Sequence, residues 1–350
     1  MPPPGRPGKL VFATSADYAR YTGGYVYNER LVAELSALGW EIERLVLPAG
    51  FPDPTPQALA STARALDSLA EGCLVLIDQL CISPAPELAR AQGARLRLIV
   101  IVHHPLALEG PGRRPDAERA ALAHATRLIV TSPRTRQAMI EDYGVDAGRI
   151  VLACPGVDRL RRACGSAGGA LALTSVGAVV PRKAHGVLLE ALAGLTDRPW
   201  RLTIVGDLER APEHVAAIRA RVSSAGLLDR VKLTGSLDAE AMEQVWQGTD
   251  LFVAASQHEG FGMAIAEAIE RGLPVVTTAA GAVGDWLDRG AAIVVPTGDP
   301  VALRSALGRV LNDPELRRRL ARGAGVAREA LPRWPDTAST VDAALRAIRL

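Results

Sequence analysis

Two carboxylates flank a glycine-bearing turn in the second half of the chain, and their spacing points to ligand chemistry. Glu259 and Glu267 have seven residues between them, and the sequence GFGM follows the first of them directly. The apolar run 251–255 before this segment is typical of a buried strand, and the residues from Met263 onward have helical periodicity. The segment therefore predicts a strand, a tight turn and the start of a helix, in that order.

The start of this helix is predicted to bind a phosphate or a diphosphate. Free backbone N–H groups at a helix N-terminus attract anions, and the helix dipole adds to the attraction. Glycines in the turn let a ligand approach the backbone closely. The residues expected to line the site are Gly260, Phe261, Gly262 and Met263. Glu267, about one turn into the helix, could accept hydrogen bonds from both hydroxyls of a ribose. In the alternative interpretation Glu259 only caps the helix, and Glu267 lies on a solvated face.

Length and composition limit the classes of protein that could carry such a site. The chain has 350 residues, of which 48% are hydrophobic and 22% charged, as expected of a globular protein with two domains. The formal net charge of +2 gives no electrostatic reason to expect a nucleic-acid partner. The four cysteines have no CxxC spacing, so we expect no disulfide framework, no metal site and a cytoplasmic location.

Short aliphatic runs alternate with helical patterns along the chain, and this alternation occurs twice. The first series ends near residue 153, and the second begins near residue 172 after a stretch of small residues, 163–171. The pattern predicts an α/β protein of two doubly wound, Rossmann-like domains that face each other across a cleft. We expect a first domain (1–165), a second domain (166–335) and a final helix (336–350).

The run from Glu259 to Glu267, followed by the sequence GLPVV, resembles the E-x7-E signature of retaining GT-B glycosyltransferases of family 4. Other short motifs follow in the order expected for that family: Thr22–Gly24, His103–His104, Pro155–Asp158, Val176–Lys183, Thr203–Asp207, Gly235–Leu237 and Trp334. The resemblance covers nearly the whole chain. It implies a GT-B fold with an N-terminal acceptor-binding domain (1–165), a C-terminal nucleotide-sugar-binding domain (166–335) and a final helix (336–350) that packs back on the first domain. It also implies transfer of a sugar, with retention, from a nucleotide-diphosphate sugar to an acceptor hydroxyl. UDP is the nucleotide most common in the family.

The resemblance also implies roles for residues of the second domain. Lys183 would grip the donor diphosphate, and Glu259, with the amides of its turn, would hold the hydroxyls of the sugar. Glu267 would hold the ribose. The family often has an arginine where this chain has Ala178, and Arg182 could replace it. No DxD pair is present, so the reaction is expected to need no metal ion.

In the first domain the resemblance implies contacts to the donor sugar and to the acceptor. Gly23 and Gly24, expected in the first turn between strand and helix, would let the backbone approach the donor phosphate or the acceptor. His103 would lie against the donor sugar near its reacting carbon, although His104 could take that place instead. The expected acceptor contacts are Tyr18, Tyr21, Tyr25, His104 and Glu109.

Two other functions are compatible with the same motifs. One is a related two-domain enzyme, such as a nucleotide-sugar 2-epimerase or a glycan phosphorylase. The other is a non-catalytic protein that binds a nucleotide sugar, which the absent arginine at Ala178 would favour. The arginines of the first domain are scattered, and this favours a small soluble molecule or a glycan as the acceptor. The sequence leaves peripheral membrane contact, the donor base and the oligomeric state open.

Overall fold

The computed structural model of the protein describes residues 8–19, 23–109, 114–288 and 290–349. Contacts between residues divide the chain after Gly156 and again after Leu331. Unit 1 contains the part before the first division together with the C-terminal residues, and unit 2 contains Val157–Leu331.

Unit 1 is built on a parallel sheet of six strands in the described part of the chain. The strands are β1 (Lys9–Ser15), β2 (Glu41–Leu47), β3 (Leu74–Asp78), β4 (Arg97–Val102), β5 (Arg127–Val130) and β6 (Ile150–Leu152). They pair in the order β2-β1-β3-β4-β5-β6. β3 and most of β4 are continuous buried runs, as expected for parallel strands that are covered on both faces.

The helices of unit 1 connect these strands, and the last one comes from the C-terminus. They are α1 (Gly23–Ala37), α2 (Pro56–Asp67), α3 (Gln79–Ile82), α4 (Pro86–Gly93), α5 (Pro115–Leu122), α6 (Pro133–Glu141) and, at the end of the chain, α14 (Trp334–Arg349). The indole Nε1 of Trp40 donates to Asp342 of α14 at 2.7 Å. The hydroxyl of Thr337 in α14 donates to the carbonyl of Cys154, also at 2.7 Å. These bonds tie the C-terminal helix to unit 1.

Unit 2 repeats the architecture with a second parallel sheet, again of six strands within the described ranges. The strands are β7 (Leu171–Val176), β8 (Trp200–Val205), β9 (Val231–Leu233), β10 (Leu251–Ala254), β11 (Val275–Thr278) and β12 (Ala292–Val295). Their order is β12-β11-β10-β7-β8-β9. The helices are α7 (His185–Ala193), α8 (Pro212–Ser224), α9 (Ala239–Gln247), α10 (Met263–Glu270), α11 (Val283–Trp286), α12 (Pro300–Asn312) and α13 (Pro314–Ala327).

The small-residue stretch expected to join the domains belongs to unit 2. The amide of Ala163 donates to the carbonyl of Arg271, and the amide of Cys164 donates to the carbonyl of Gln247, both at 3.0 Å. The division after Gly156 therefore precedes the expected boundary at residue 165, because these backbone bonds hold the segment on unit 2.

Each sheet contains one place where the strand order reverses. The reversal lies between β1 and β3 in unit 1 and between β7 and β10 in unit 2. The connections leave such a point toward opposite faces of the sheet, and the crevice beyond the carboxyl ends of the strands is the usual ligand site. Loops that follow β1, β3, β7 and β10 are therefore the ones to search. No helix among the described residues is long and apolar enough to span a membrane.

Candidate active site

The reversal point of unit 2 brings together two residues that are 76 positions apart in the chain. Lys183 ends a short 3-10 turn after β7, and Glu259 lies in the loop after β10. The Nζ of Lys183 donates to Oε1 of Glu259 at 2.6 Å, and the hydroxyl of Ser256 donates to the same oxygen at 2.6 Å. Both members of the ion pair are largely buried, with side-chain exposures of 16% and 11%.

Arg182 places a second cation beside the same carboxylate. Its guanidinium nitrogen lies 3.9 Å from Oε2 of Glu259 and donates to the carbonyl of His258 at 3.4 Å. Burial disfavours the ionised carboxylate, but Lys183 and Arg182 outweigh that effect and lower the pKa of Glu259 to about 2. Glu259 is therefore a carboxylate at neutral pH, which can accept hydrogen bonds and cannot act as a general acid.

The backbone of the Glu259 loop is bonded to the loops on both sides of it. The amide of Gln257 donates to the carbonyl of Arg182 at 2.8 Å, and the amide of Ala282 donates to the carbonyl of Glu259 at 3.2 Å. Arg182 follows β7, and Ala282 follows β11. Three loops at the carboxyl edge of the sheet are thus joined through one short segment.

The turn after Glu259 leads into helix α10 through a backbone conformation that favours glycine. Gly262 has φ of 91°, and a Cβ added there would lie 2.9 Å from Cγ2 of Val283. The amides of Gly262, Met263 and Ala264 donate no hydrogen bond to any described residue. These three N–H groups at the helix N-terminus are therefore available to an anion, as the sequence predicts.

Phe261 contributes to this turn mainly by packing. Its ring is 7% exposed and stacks on Trp286 with a centroid distance of 5.2 Å. The indole Nε1 of Trp286 donates to the carbonyl of Phe261 at 2.8 Å. The ring therefore fixes the shape of the turn, and Gly260, which is half-buried, is the residue between it and Glu259.

Glu267 is half-buried on α10, and its carboxyl has no hydrogen bond or ion pair in the described structure. Burial raises the pKa of Glu267 to about 7; Arg271 opposes this shift and Asp158 adds to it. Glu259 does not cap α10. The N-cap residue is Gly262, no side chain accepts a capping bond there, and the Glu259 carboxylate is held by Lys183 and Ser256. The pKa of Glu259 is thus lowered and the pKa of Glu267 is raised, although the two glutamates belong to one motif.

His103 lies at the carboxyl end of β4 in unit 1, inside a cluster of polar and aromatic side chains. Its Nε2 is 3.5 Å from Oδ2 of Asp78, and its ring meets the ring of Tyr27 edge-on at 5.4 Å. A Cβ added at Gly24 would lie 3.1 Å from Nε2, so glycine allows the helix to approach the ring this closely. The neighbouring His104 is held through its carbonyl, which accepts from Nε2 of Gln79 at 2.6 Å.

Gly23 and Gly24 belong to helix α1 itself, which corrects their expected position in the preceding turn. Their amides lie at the N-terminus of the helix because α1 begins two residues earlier than the periodicity predicts. Tyr25, in its first turn, is half-buried. Tyr27 is a core residue, fully buried, and its hydroxyl donates to the carbonyl of Ala153 at 2.9 Å. Tyr21 lies outside the described residues, as do the side chains of Tyr18 and Glu109.

Sequence reasoning missed three residues of these clusters: Asp78, Asn28 and Ser256. The Nδ2 of Asn28 donates to Oδ2 of Asp78 at 2.6 Å, and both residues are buried. A usable signal exists only for Asp78, because an acidic residue directly after the apolar run 74–77 stands at the carboxyl end of a buried strand. Asn28 and Ser256 become visible only when the neighbouring elements are known.

Comparison of the sequence with known proteins finds matches to two family models. The model of the glycosyl transferases group 1 matches residues 157–325, and the model of glycosyltransferase family 4 matches residues 41–161. The chain belongs to the group 1, family 4 glycosyltransferases. The family that the sequence motifs resemble is thereby confirmed.

The curated relatives of the chain are longer proteins. A D-inositol 3-phosphate glycosyltransferase of Salinispora tropica is 30% identical over 243 residues, which cover 61% of this chain and 49% of the relative. One from Kineococcus radiotolerans is 28% identical over 268 residues, covering 68% of this chain and 61% of the relative. The matching part of the chain thus spans about half to three-fifths of these relatives.

Solved structures show the same fold. Sucrose-phosphate synthase from Thermosynechococcus elongatus has a TM-score of 0.82 at 20% identity, and the match covers 98% of this chain and 99% of that one. Anabaena HepE in complex with UDP and glucose has a TM-score of 0.75 at 17% identity, with coverage of 97% and 99%. The predicted α/β fold of the GT-B class is confirmed.

Proposed function

We propose that this protein is a retaining glycosyltransferase that moves a sugar from a nucleotide-diphosphate sugar to an acceptor hydroxyl. One observation carries the proposal. At the reversal point of unit 2, the buried Lys183–Glu259 pair stands beside Arg182 and ahead of the free amides that begin α10. A site that holds a diphosphate on one side and sugar hydroxyls on the other needs two cations, a carboxylate and a helix N-terminus.

The diphosphate would be bound by charge and by backbone amides. Negative charge grows on the leaving group as the bond to the sugar breaks, so fixed cations stabilise the transition state more than the ground state. Lys183 and Arg182 supply two such cations, and the amides of Gly262, Met263 and Ala264 supply donors. Arg182 lies where it could compensate for the arginine absent at Ala178, and this favours activity over the non-catalytic alternative.

The sugar would be oriented by Glu259. Lys183 and Ser256 occupy Oε1, whereas Arg182, at 3.9 Å, is the one described partner near Oε2. Oε2 therefore has capacity to accept hydrogen bonds from sugar hydroxyls. In the retaining reaction that we propose, the acceptor attacks on the face from which the diphosphate leaves, and a phosphate oxygen takes its proton. Glu259 then orients the sugar and forms no bond to carbon.

We propose a UDP-sugar as donor and a small soluble molecule or a glycan as acceptor. HepE, which shares the fold, is solved with UDP and with UDP-glucose, and the curated relatives are named for D-inositol 3-phosphate. Metal-independent transfer remains part of the proposal. Within the described ranges no group of three or more His, Cys, Asp or Glu side chains is placed to hold a metal ion.

Thermal unfolding with UDP, GDP, ADP and TDP, each with and without magnesium, tests the proposal. A ligand at about 100 times its Kd adds roughly 2.7 kcal/mol to stability, which raises Tm by several degrees. We expect UDP alone to raise Tm, and magnesium to add little. The donor sugar is then found by supplying the sugars of that nucleotide with candidate acceptors. No shift with any nucleotide would contradict the proposed donor site, and consumption of donor without acceptor would indicate an epimerase.

A further inference from the structure

Asp78 is a buried carboxylate that the proposed reaction does not yet use. It is 3% exposed at the carboxyl end of β3, next to the point where the order of the first sheet reverses. Its Oδ1 accepts from the amide of Leu80 at 2.9 Å, and its Oδ2 accepts from Asn28 at 2.6 Å. A buried carboxylate is costly unless it is paired or hydrogen-bonded, and the imidazole Nε2 of His103 lies 3.5 Å from its Oδ2.

Other groups already fix the backbone that carries His103. The carbonyl of His104 accepts from Gln79 at 2.6 Å, and the amide of Leu106 donates to Glu118 at 3.0 Å. Glu118 is 2% exposed and also accepts from Tyr143 at 2.7 Å. The loop therefore does not need Asp78 to keep its course.

The imidazole ring, in contrast, depends on Asp78 for its direction. Gly24 lies close against one side of the ring and Tyr27 meets it edge-on, so the ring has little room to turn. Nε2 is fully buried and has no hydrogen-bond partner closer than Asp78, whose Oδ2 is 3.5 Å away. Contacts of this length are common in ligand-free sites and shorten when a substrate binds. Because Nε2 faces inward, the ring nitrogen that a ligand can reach is Nδ1.

We propose that Asp78 is a positioning residue that accepts the Nε2 proton of His103 and so presents Nδ1 as an acceptor to a substrate hydroxyl. The proposal rests on the proposed function, because the hydroxyl belongs to the transferred sugar or to its acceptor. It also assigns the functional role to His103 and not to His104, whose carbonyl accepts from Gln79. A carboxylate on one imidazole nitrogen fixes the tautomer and leaves the other nitrogen free.

The test compares Asp78→Asn with Glu118→Gln, the matched loss of a buried carboxylate from the same unit. Glu118 holds Leu106 and Tyr143 and does not touch the His103 ring. For each variant, kcat for transfer, the Kd of the nucleotide and the ¹⁵N NMR signals of the histidine rings are measured. His103→Asn assigns the His103 signals among the six histidines of the chain.

For Asp78→Asn we expect kcat to fall on the order of 10- to 100-fold, as when the partner of a functional histidine is removed. The nucleotide Kd should change by less than about twofold, since residues of unit 2 hold the nucleotide, and the His103 ring signals should shift from the Nε2–H tautomer toward a mixture. Glu118→Gln should leave those ring signals unchanged. Equal losses of kcat in both variants with an unaltered His103 spectrum would show that the carboxylates only stabilise the loop, and would overturn the proposal.

Gly24→Ala provides an independent route if Asp78→Asn does not fold. The added Cβ would lie 3.1 Å from Nε2 and Cδ2, so the ring must shift by a few tenths of an ångström and change its already long contact with Asp78, while the bonds of Asp78 to Asn28 and Leu80 remain. The same tautomer change is expected, and an unchanged tautomer overturns the proposal. The ring signals are read on the ligand-free protein, so they report on Asp78 even if no sugar donor is accepted. A protein with the expected tautomer and no transfer would refute the proposed function alone.

Discussion

The two sheets reverse their strand order in the same way, yet the carboxylates at the two reversal points have different neighbouring groups. In unit 2, Glu259 faces Lys183 and Arg182. In unit 1, Asp78 faces an amide nitrogen of Asn28, a backbone N–H and an imidazole.

This difference teaches what each cluster is suited to hold. Two cations around one carboxylate leave a net positive charge, and an anion is the ligand that such a cluster attracts. A carboxylate surrounded by neutral donors has no neighbouring cation that could attract an anion. It is therefore better suited to orient a neighbouring group toward a neutral hydroxyl. The same topology therefore suits anion binding in one unit and, as we propose, orientation of a histidine in the other.

The largest effect is expected from Lys183→Ala, which tests whether the charge of the unit 2 cluster serves the reaction. Loss of a preorganised group that stabilises developing negative charge costs about 100- to 1000-fold in turnover. Lys232→Ala is the control, because Lys232 is an exposed lysine on β9 of the same unit. Steady-state kinetics of both variants decide the question. Equal activities would mean that the cation near Glu259 serves only the fold.

The next largest effect is a pH dependence of stability that comes from Glu267. Its pKa is raised from 4.5 to about 7 in the folded protein, so both states are protonated below pH 4.5 and this group costs nothing there. Between pH 4.5 and 7 the unfolded chain loses the proton first, and the free energy of unfolding falls, by up to about 3 kcal/mol. Above pH 7 the loss is complete. Denaturant unfolding from pH 4.5 to 8 should show this slope in the wild type and lose it in Glu267→Gln. A parallel slope in the variant would contradict the assignment.

A third prediction separates the two glutamates by what they hold. Glu267→Ala should raise the nucleotide Kd about tenfold, the equivalent of one good hydrogen bond to a charged group. Glu259→Ala should lower kcat more than it raises that Kd, because its proposed partner is the sugar. Calorimetric titration with the nucleotide, together with kcat for transfer, gives both values. Small and equal effects of the two substitutions would contradict both the ribose contact of Glu267 and the sugar contact of Glu259.

The smallest effect concerns the backbone between Lys183 and α7. Ala184 has a left-handed φ of 49°, which an alanine adopts at a cost. Ala184→Gly should therefore stabilise the protein by about 0.5–1 kcal/mol. Gly226→Ala is the reverse control, because Gly226 has φ of 66° and nothing lies within 4 Å of an added Cβ. Opposite shifts of the urea midpoint are expected. Destabilisation by Ala184→Gly would mean that packing of the methyl group outweighs the backbone strain.

Sequence patterns predict the fold well because most strands here are continuous apolar runs bounded by turns. The predicted strand at 251–255 and helix from 263, for example, are found as β10 and α10 within one residue. The patterns also place Lys183 and Glu259 in the loops after β7 and β10, where the family resemblance makes both of them site candidates. They cannot reveal that the two side chains meet, since this depends on β10 pairing with β7 across the reversal point.

The same limit explains the residues of unit 1 that the sequence does not reveal. Asn28 lies on α1 and Asp78 ends β3, and the two meet because β3 pairs with β1. Periodicity describes each element by itself, whereas this contact depends on which strands are neighbours. The boundary of unit 2 is a similar case, because the stretch 163–171 has the composition of a linker but its first residues bond to unit 2.

The bonds that join three loops around Glu259 have a consequence for hydrogen exchange. The amides of Gln257 and Ala282 lie in loops, where exchange is normally fast, but each donates to the backbone of a different neighbour. Neither amide can reach solvent unless the segments around Arg182 and Glu259 separate. These amides should therefore exchange slowly and together, as one cooperative opening unit rather than as three independent loops. The free protein would then hold the proposed donor site assembled before any ligand arrives.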